Sequence, residues 1–125
     1  MPRPSLHAEA VELTLREAAG PLSAAEVGAA LAETGIGIAT VYRLLGRGVE
    51  EGRFVAVEMP QGATRYEPAD RPHHHHFACT ACDAVYDVPG CPGNLGKMVP
   101  DGFTMTTHEV LLSGVCSRCN GGEAA

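Results

Sequence analysis

Two Cys-x-x-Cys pairs, Cys79/Cys82 and Cys116/Cys119, stand 33 residues apart and restrict this chain more than any other feature. One pair alone is equally a redox motif or two buried thiols. Two pairs in a short segment supply four thiolates, the donor set of a closed tetrahedral zinc site with bonds of about 2.3 Å. Such a site leaves no position open for a substrate, so it predicts a staple and not a catalyst. The chain has 125 residues, room for one ordinary domain or two small ones. Aromatics are 5% with no Trp, so its cores must come from Leu, Val, Ile and Ala. Small cores of that kind gain from a structural metal. An odd count of five cysteines also fits metal better than a disulfide framework. The start, Met1-Pro2-Arg3-Pro4-Ser5, leads into an amphipathic stretch and not an apolar signal core. No apolar run approaches the roughly 20 residues a membrane span needs. A reducing, cytoplasmic setting without a membrane partner is expected.

Four consecutive histidines, His73–His76, precede the first knuckle. They are surplus to a four-cysteine site. In an extended chain alternate side chains face opposite ways, so His74 and His76 share one face and His73 and His75 the other. One short strand can therefore serve two metal centres. Further donors nearby are Glu67, Asp87, His108 and the unpaired Cys91, which lies in a Pro-Gly-Cys-Pro-Gly turn. A thiolate beside imidazoles favours zinc over manganese or magnesium, though less sharply over iron or nickel.

Upstream the pattern is helical. Residues 5–19 place Val11, Leu15 and Ala18 on one face, and Gly20-Pro21 ends the run. Ser23-Ala24-Ala25-Glu26 reads as a capping box opening a second helix with Val27 and Leu31 one turn apart. After Gly35-Ile36-Gly37, a third helix runs to about Glu51, burying Val41, Leu44 and Leu45 and gathering Thr40, Arg43 and Arg47 on another face. Helix, short glycine turn and helix is the helix-turn-helix pattern, although periodicity alone is equally met by any three-helix bundle. Strands are expected at Phe54–Val57 and Thr64–Tyr66, joined by Met59-Pro60-Gln61-Gly62. A hairpin directly after a helix-turn-helix is the layout of a winged helix. The expected fold class is therefore α+β. Residues 1–68 form a winged helix-turn-helix, 69–72 a hinge, and 73–125 a small α/β domain with a structural zinc site of four cysteines. In that second half, His76–Ala78, Val85–Val88 and Thr104–Leu112 read as strands and Leu95–Val99 as a short helix.

Net charge is −6 with histidines neutral, which argues against a general polyanion binder. Residues 1–66 hold six arginines and no lysine against eight glutamates, a net of −2. A DNA reader of this composition must concentrate its cations, with Arg43 and Arg47 on the third helix and Arg65 on the wing as candidates.

The chain resembles the ferric uptake regulator family of metal-responsive repressors. The resemblance rests on Gly37-Ile38-Ala39-Thr40-Val41-Tyr42-Arg43, on His73–His76 before Cys79-x-x-Cys82, and on His108 leading into Gly114-Val115-Cys116-x-x-Cys119. It runs through the whole chain in family order, and the zinc uptake regulator branch is the most similar. It implies a homodimer joined through the second domain and bound to a palindromic double-stranded operator. Thr40, Tyr42, Arg43, Arg47 and Arg65 would face DNA. A regulatory metal would sit in the hinge on Glu67, His74 and His76 with Asp87 nearby. A second site would fall on His73, His75 and His108, with Cys91 at the family's acidic position. Zinc is the expected ion, and iron(II) or manganese(II) are the alternatives at the regulatory site. There are departures from the family pattern. Its DNA-domain histidine falls on Pro21, the Asp and Cys that many zinc regulators use fall on Val55 and Ala69, and basic residues are thin in the first helix. His7 is a further imidazole in that half.

No enzyme is expected, and no small-molecule substrate. The zinc deaminase pattern needs H-x-E and P-C-x-x-C. Here His108 and Glu109 are adjacent and no CxxC follows a proline. The remaining rivals are an iron, manganese, nickel or peroxide sensor on the same scaffold, and a zinc-stapled protein-binding module.

Overall fold

The computed structural model describes residues 6–121; residues 1–5 and 122–125, including the predicted helix start at Ser5, lie outside the described residues. The chain divides between Arg71 and Pro72 into two units.

The first unit opens with helix α1, Leu6–Glu17, which buries Val11 and Leu15. A two-residue strand β1, Leu22–Ser23, leads into α2, Ala24–Ala30. The capping box is present. The Ser23 hydroxyl accepts from the Glu26 N–H at 3.1 Å, and the Glu26 carboxylate accepts from the Ser23 N–H at 3.0 Å. A 3-10 turn, Ala32–Thr34, closes on Gly35 at φ 81°, a left-handed position that suits glycine. Helix α3, Ile38–Glu50, buries Val41, Leu44, Leu45 and Gly48. Strands β2, Phe54–Val57, and β3, Arg65–Pro68, pair antiparallel, and β1 adds to the other edge of β3. Together these elements make a three-helix, three-strand winged helix. Its core is Val11, Leu15, Ala24, Val27, Leu31, Ile36, Val41, Leu44, Leu45 and Phe54, aliphatic but for one ring.

Two expectations need correction here. The second wing strand starts at Arg65 and not Thr64, and β1 carried no alternation signal because it has only two residues. Arg65 does not face outward from the wing. It is 8% exposed, and its guanidinium donates to the Glu26 carboxylate at 2.6 Å and the Pro21 carbonyl at 3.1 Å. A buried arginine is kept only when paired, and Glu26 at the start of α2 is that pair. Arg65 ties the wing to the helix-turn-helix instead of reaching for phosphate.

The second unit holds β4, His74–Cys79, and β5, Val85–Pro89, as an antiparallel pair. Strand β6, Leu111–Gly114, lies parallel on the other edge of β4. A 3-10 turn, Leu95–Met98, stands where a short helix was expected. The last strand is shorter and later than Thr104–Leu112 suggested, because residues 103–110 have no regular structure and are mostly exposed. Alternation there records an extended chain without a ladder partner.

Glycine at 48 is a packing requirement. A Cβ there would meet the Phe54 ring at 2.1 Å, whereas one at Gly46, on the outer face of α3, would meet nothing within 4 Å. We therefore expect Gly48→Ala to lose about 1–3 kcal/mol through overpacking. Gly46→Ala should gain about 0.5–1 kcal/mol through helix propensity. Urea denaturation of both variants checks the pair, and equal effects would refute the Phe54 contact as the reason.

Candidate metal centres and the outer face of the third helix

The end of β4 and the start of the segment after β6 bring the four knuckle cysteines together. Their sulfurs all lie within 4.8 Å of one another, with Cys82 Sγ 3.8 Å from Cys116 Sγ. Thiolates about 2.3 Å from a tetrahedral zinc sit about 3.8 Å apart, so the cluster fits that ion. Cys79 and Cys116 are buried, while Cys82 and Cys119 reach solvent. Backbone N–H groups of Cys116 and Ala81 donate to Cys79 Sγ at 3.3 and 3.4 Å. These donors, Cys116 first, bring the Cys79 thiol down to about 6. The N–H of Cys119 and the Tyr86 hydroxyl lower Cys116. Cys119 is pushed up to about 12, chiefly by Cys116 and Cys82. Thiolate charge on one sulfur raises its neighbours, and a divalent cation among the four sulfurs removes that conflict.

The histidine run splits as strand alternation predicts. His74 and His76 have ring centroids 4.9 Å apart, and both Nε2 atoms lie 3.5 Å from Asp87 Oδ1. Asp87 stands directly opposite His76 in the β4–β5 register, which puts His74 on the diagonal. His74 Nδ1 lies 2.8 Å from the Pro72 carbonyl. That bond holds the ring proton on Nδ1 and turns the Nε2 lone pair toward Asp87, the outer-sphere arrangement of metal-binding histidines. A cation among these three groups satisfies all of them. Glu67, the remaining residue expected here, belongs to the first unit, where it lies on β3 and is buried.

On the opposite face, His73, His75, Cys91 and His108 each offer a donor within 4.8 Å of the others. Cys91 Sγ is 3.1 Å from His108 Nε2. The His73 ring lies 4.6 Å from His75 and 5.0 Å from His108 between centroids. His75 is 4% exposed, and its Nδ1 accepts the Val110 N–H at 3.1 Å. The ring's own proton is thereby left on Nε2, where it has no hydrogen-bond partner. Burial, then the neighbouring imidazoles, lower the His75 pKa.

In the first unit, α3 turns Tyr42, Arg43, Gly46 and Arg47 to solvent, with Ile38 and Ala39 at its start and Thr40 half-buried. The other arginines described in this unit are engaged within it. Arg16 pairs with Glu12 and Asp70, and Arg53 with Glu12 and Glu51. Arg65 holds Glu26, and Arg71 donates to the Leu15 and Arg16 carbonyls at the end of α1. Composition could not show this division, since it depends on which carboxylates the fold brings within reach.

Among the described residues, no helix is long and apolar enough to cross a membrane. A model of the ferric uptake regulator family matches residues 8–112. The ferric uptake regulation protein of Bordetella parapertussis is 34% identical over 90 residues, 70% of this chain and 65% of that protein. The chain therefore spans just under two thirds of that relative's length. The fold is shared with the Helicobacter pylori ferric uptake regulator, whose structure is described as having three functional metal binding sites. That match has a TM-score of 0.73 at 22% identity and covers 98% of this chain and 85% of the other. A zinc-bound manganese uptake regulator superposes with a TM-score of 0.80 at 21% identity, covering 92% and 91%.

Zinc at the four cysteines should be a folding requirement for the second unit. Among its described residues only Val85, Cys79, Cys116 and His75 are buried. Structural zinc contributes on the order of 10 kcal/mol or more to small domains. Cys116→Ser, or a strong chelator, is expected to remove one zinc per chain and abolish the cooperative thermal transition of residues 72–121. Native mass spectrometry with calorimetry measures both, and a transition that survives zinc loss would exclude the staple role.

Proposed function

The chain belongs to the ferric uptake regulator family, and from that premise we propose that it is a zinc-sensing, DNA-binding transcriptional repressor of metal-uptake genes. The observation that carries this reading is the division of one histidine strand into two donor groups, in a chain whose helix-turn-helix turns Tyr42, Arg43 and Arg47 outward. A structural zinc at Cys79, Cys82, Cys116 and Cys119 holds the second unit. A regulatory ion binds His74, His76 and Asp87, and Glu67 supplies the ligand from the DNA-reading unit. Bound metal then favours the conformer whose recognition helices fit successive major grooves of a palindrome. A coupling of about 1–3 kcal/mol suffices for such a switch.

Exposed Met98, Phe103, Met105, Leu111, Leu112 and Val115 in the second unit support its use as a homodimer surface. Four outward arginines per dimer, two from each α3, make up the expected phosphate and base contacts. Zinc as the sensed ion is supported by the imidazole-rich donors. Iron(II) is the second reading, favoured by relatives that carry the ferric uptake name and by the carboxylates beside His74 and His76, which accept it.

His74→Ala is expected to lose metal-dependent operator affinity by about tenfold or more, in line with the coupling above, while keeping the four-cysteine zinc. Fluorescence anisotropy with zinc, iron(II) and manganese(II) in turn identifies the inducer. Unchanged metal dependence in His74→Ala would remove the hinge role. The salt dependence of binding gives a separate check. Four neutralised phosphates imply a slope of log K against log salt of about −4. A slope near that of a heavily basic reader would show cations beyond Arg43 and Arg47 at work. Arg65→Ala should lower folding stability, not the slope.

A further inference from the structure

Helix α3 carries two glycines, and only one has a reason inside the fold. Gly48 lies against the Phe54 ring, and Gly28 on α2 faces Ile38. Gly46 faces open space and its φ is helical, so neither packing nor backbone conformation asks for a glycine there. A helix-interior glycine without compensation is a standing loss of stability relative to alanine. Its position is equally specific. Val41, Leu44, Leu45 and Gly48 form the buried side of α3. At about 3.6 residues per turn, Gly46 falls nearly opposite the middle of that side, close to the midline of the outward face. Tyr42 and Arg43, one turn earlier, and Arg47, next in the chain, flank it, and all three are exposed. Arg43 and Arg47 have no ion-pair partner among the described residues. The centre of the outward face is thus bare helix backbone with a phenol ring and two guanidinium groups around it.

We propose that Gly46 is the point where the floor of a DNA major groove meets α3 at backbone distance, and that it sets how deep the helix seats and hence which base edges Tyr42 and Arg43 can read. Glycine is the residue that lets a ligand come close to the backbone. A major groove about 12 Å wide admits a helix whose diameter with side chains is about 10–12 Å, so little room is left over. A side chain on the midline props such a helix away from the groove floor. Flanking side chains straddle the contact instead and reach base edges and phosphates on either side. The charges decide the occupant. Two guanidinium groups free of carboxylates beside bare backbone suit an anionic double strand. An apolar protein surface seated there would strip both of water without pairing them. The stability given up at Gly46 is then exchanged for depth of insertion.

This rests on the DNA-reading assignment above and adds a residue that the assignment does not contain. The full wild-type chain, loaded in turn with zinc, iron(II) and manganese(II), is used to enrich duplexes from a randomised pool. The enriched duplex then serves as the probe, beside an arbitrary duplex of equal length. Gly46→Ala is expected to bind the enriched duplex at least about tenfold more weakly, the scale of forcing a methyl group into a close-packed contact. Gly46→Leu should lose more. Both should hold the arbitrary duplex within about twofold of wild type, since shallow docking still satisfies phosphates. Both should also resist urea at least as well as wild type, which separates the loss from misfolding. Alanine and leucine favour the helix nearly alike, so equal losses from the two would trace to rigidity of α3 and overturn the close approach. Wild-type affinity of Gly46→Ala for the enriched duplex, or an equal loss on the arbitrary duplex, would overturn it too. No enrichment by wild type with any of the three ions would overturn the DNA reading itself, and this proposal with it.

Discussion

The second unit depends on the convergence of four sulfurs. Its described residues bury one aliphatic side chain, Val85, beside Cys79, Cys116 and His75. Apolar burial of that extent does not offset the conformational entropy of some fifty residues by itself. The cysteines occupy the points where order is needed most. Cys79 ends β4, and Cys116 follows β6 by two residues. Closing the cluster therefore holds two parallel neighbours side by side, which no short turn could do. The ladders on either side of β4 place the remaining side chains. The register of β4 on β5 sets Asp87 opposite His76, and the β4–β6 pairing brings Val110 against His75.

Strand β4 carries a knuckle cysteine and most of the histidine run on one short segment. Its C-terminal residue is a knuckle thiol, and its N-terminal half is histidine. The same alternation that sorts core from solvent in an ordinary sheet here sorts donors into two groups. A one-residue slip of register would exchange the partners of every imidazole. A closed four-cysteine cluster at one end would thus help fix which histidines face Asp87 and which face Cys91. A zinc held there would have all four of its positions filled by protein and no open one.

Much of this was legible in the chain because it depended on local spacing. The capping box at Ser23 and Glu26, the apolar stripe of α3, the paired knuckles and the alternating histidines are all short-range patterns. Their geometry follows from helix and strand periods. What escaped was set by distant partners. Arg65 looked like an outward wing cation, and only the fold reveals Glu26, 39 positions earlier, beside it. Residues 104–110 alternate like a strand but have no ladder partner in this unit, so sequence pattern and hydrogen bonding part company there. Gly48 gave no local sign of its role, since its reason is the Phe54 ring packed across it.

Charge allocation explains how an acidic chain could serve as a selective reader. In the first unit, carboxylates of Glu12, Glu26, Glu51 and Asp70 hold Arg16, Arg53 and Arg65 to the framework. The exposed pairs of Arg16 and Arg53 add little stability singly, unlike the buried Arg65, yet each pairing removes a cation from the pool that could attract any polyanion. Arg43 and Arg47 remain on the outer face of α3, one turn apart and flanked by Tyr42. With so few phosphates neutralised, affinity for arbitrary duplex stays low. On the proposed reading, DNA affinity would draw on base contacts made by both recognition helices together, and these require a fixed spacing between the two protomers of a dimer. A weak electrostatic background would make the geometry of such a reader, and any metal that sets that geometry, decisive.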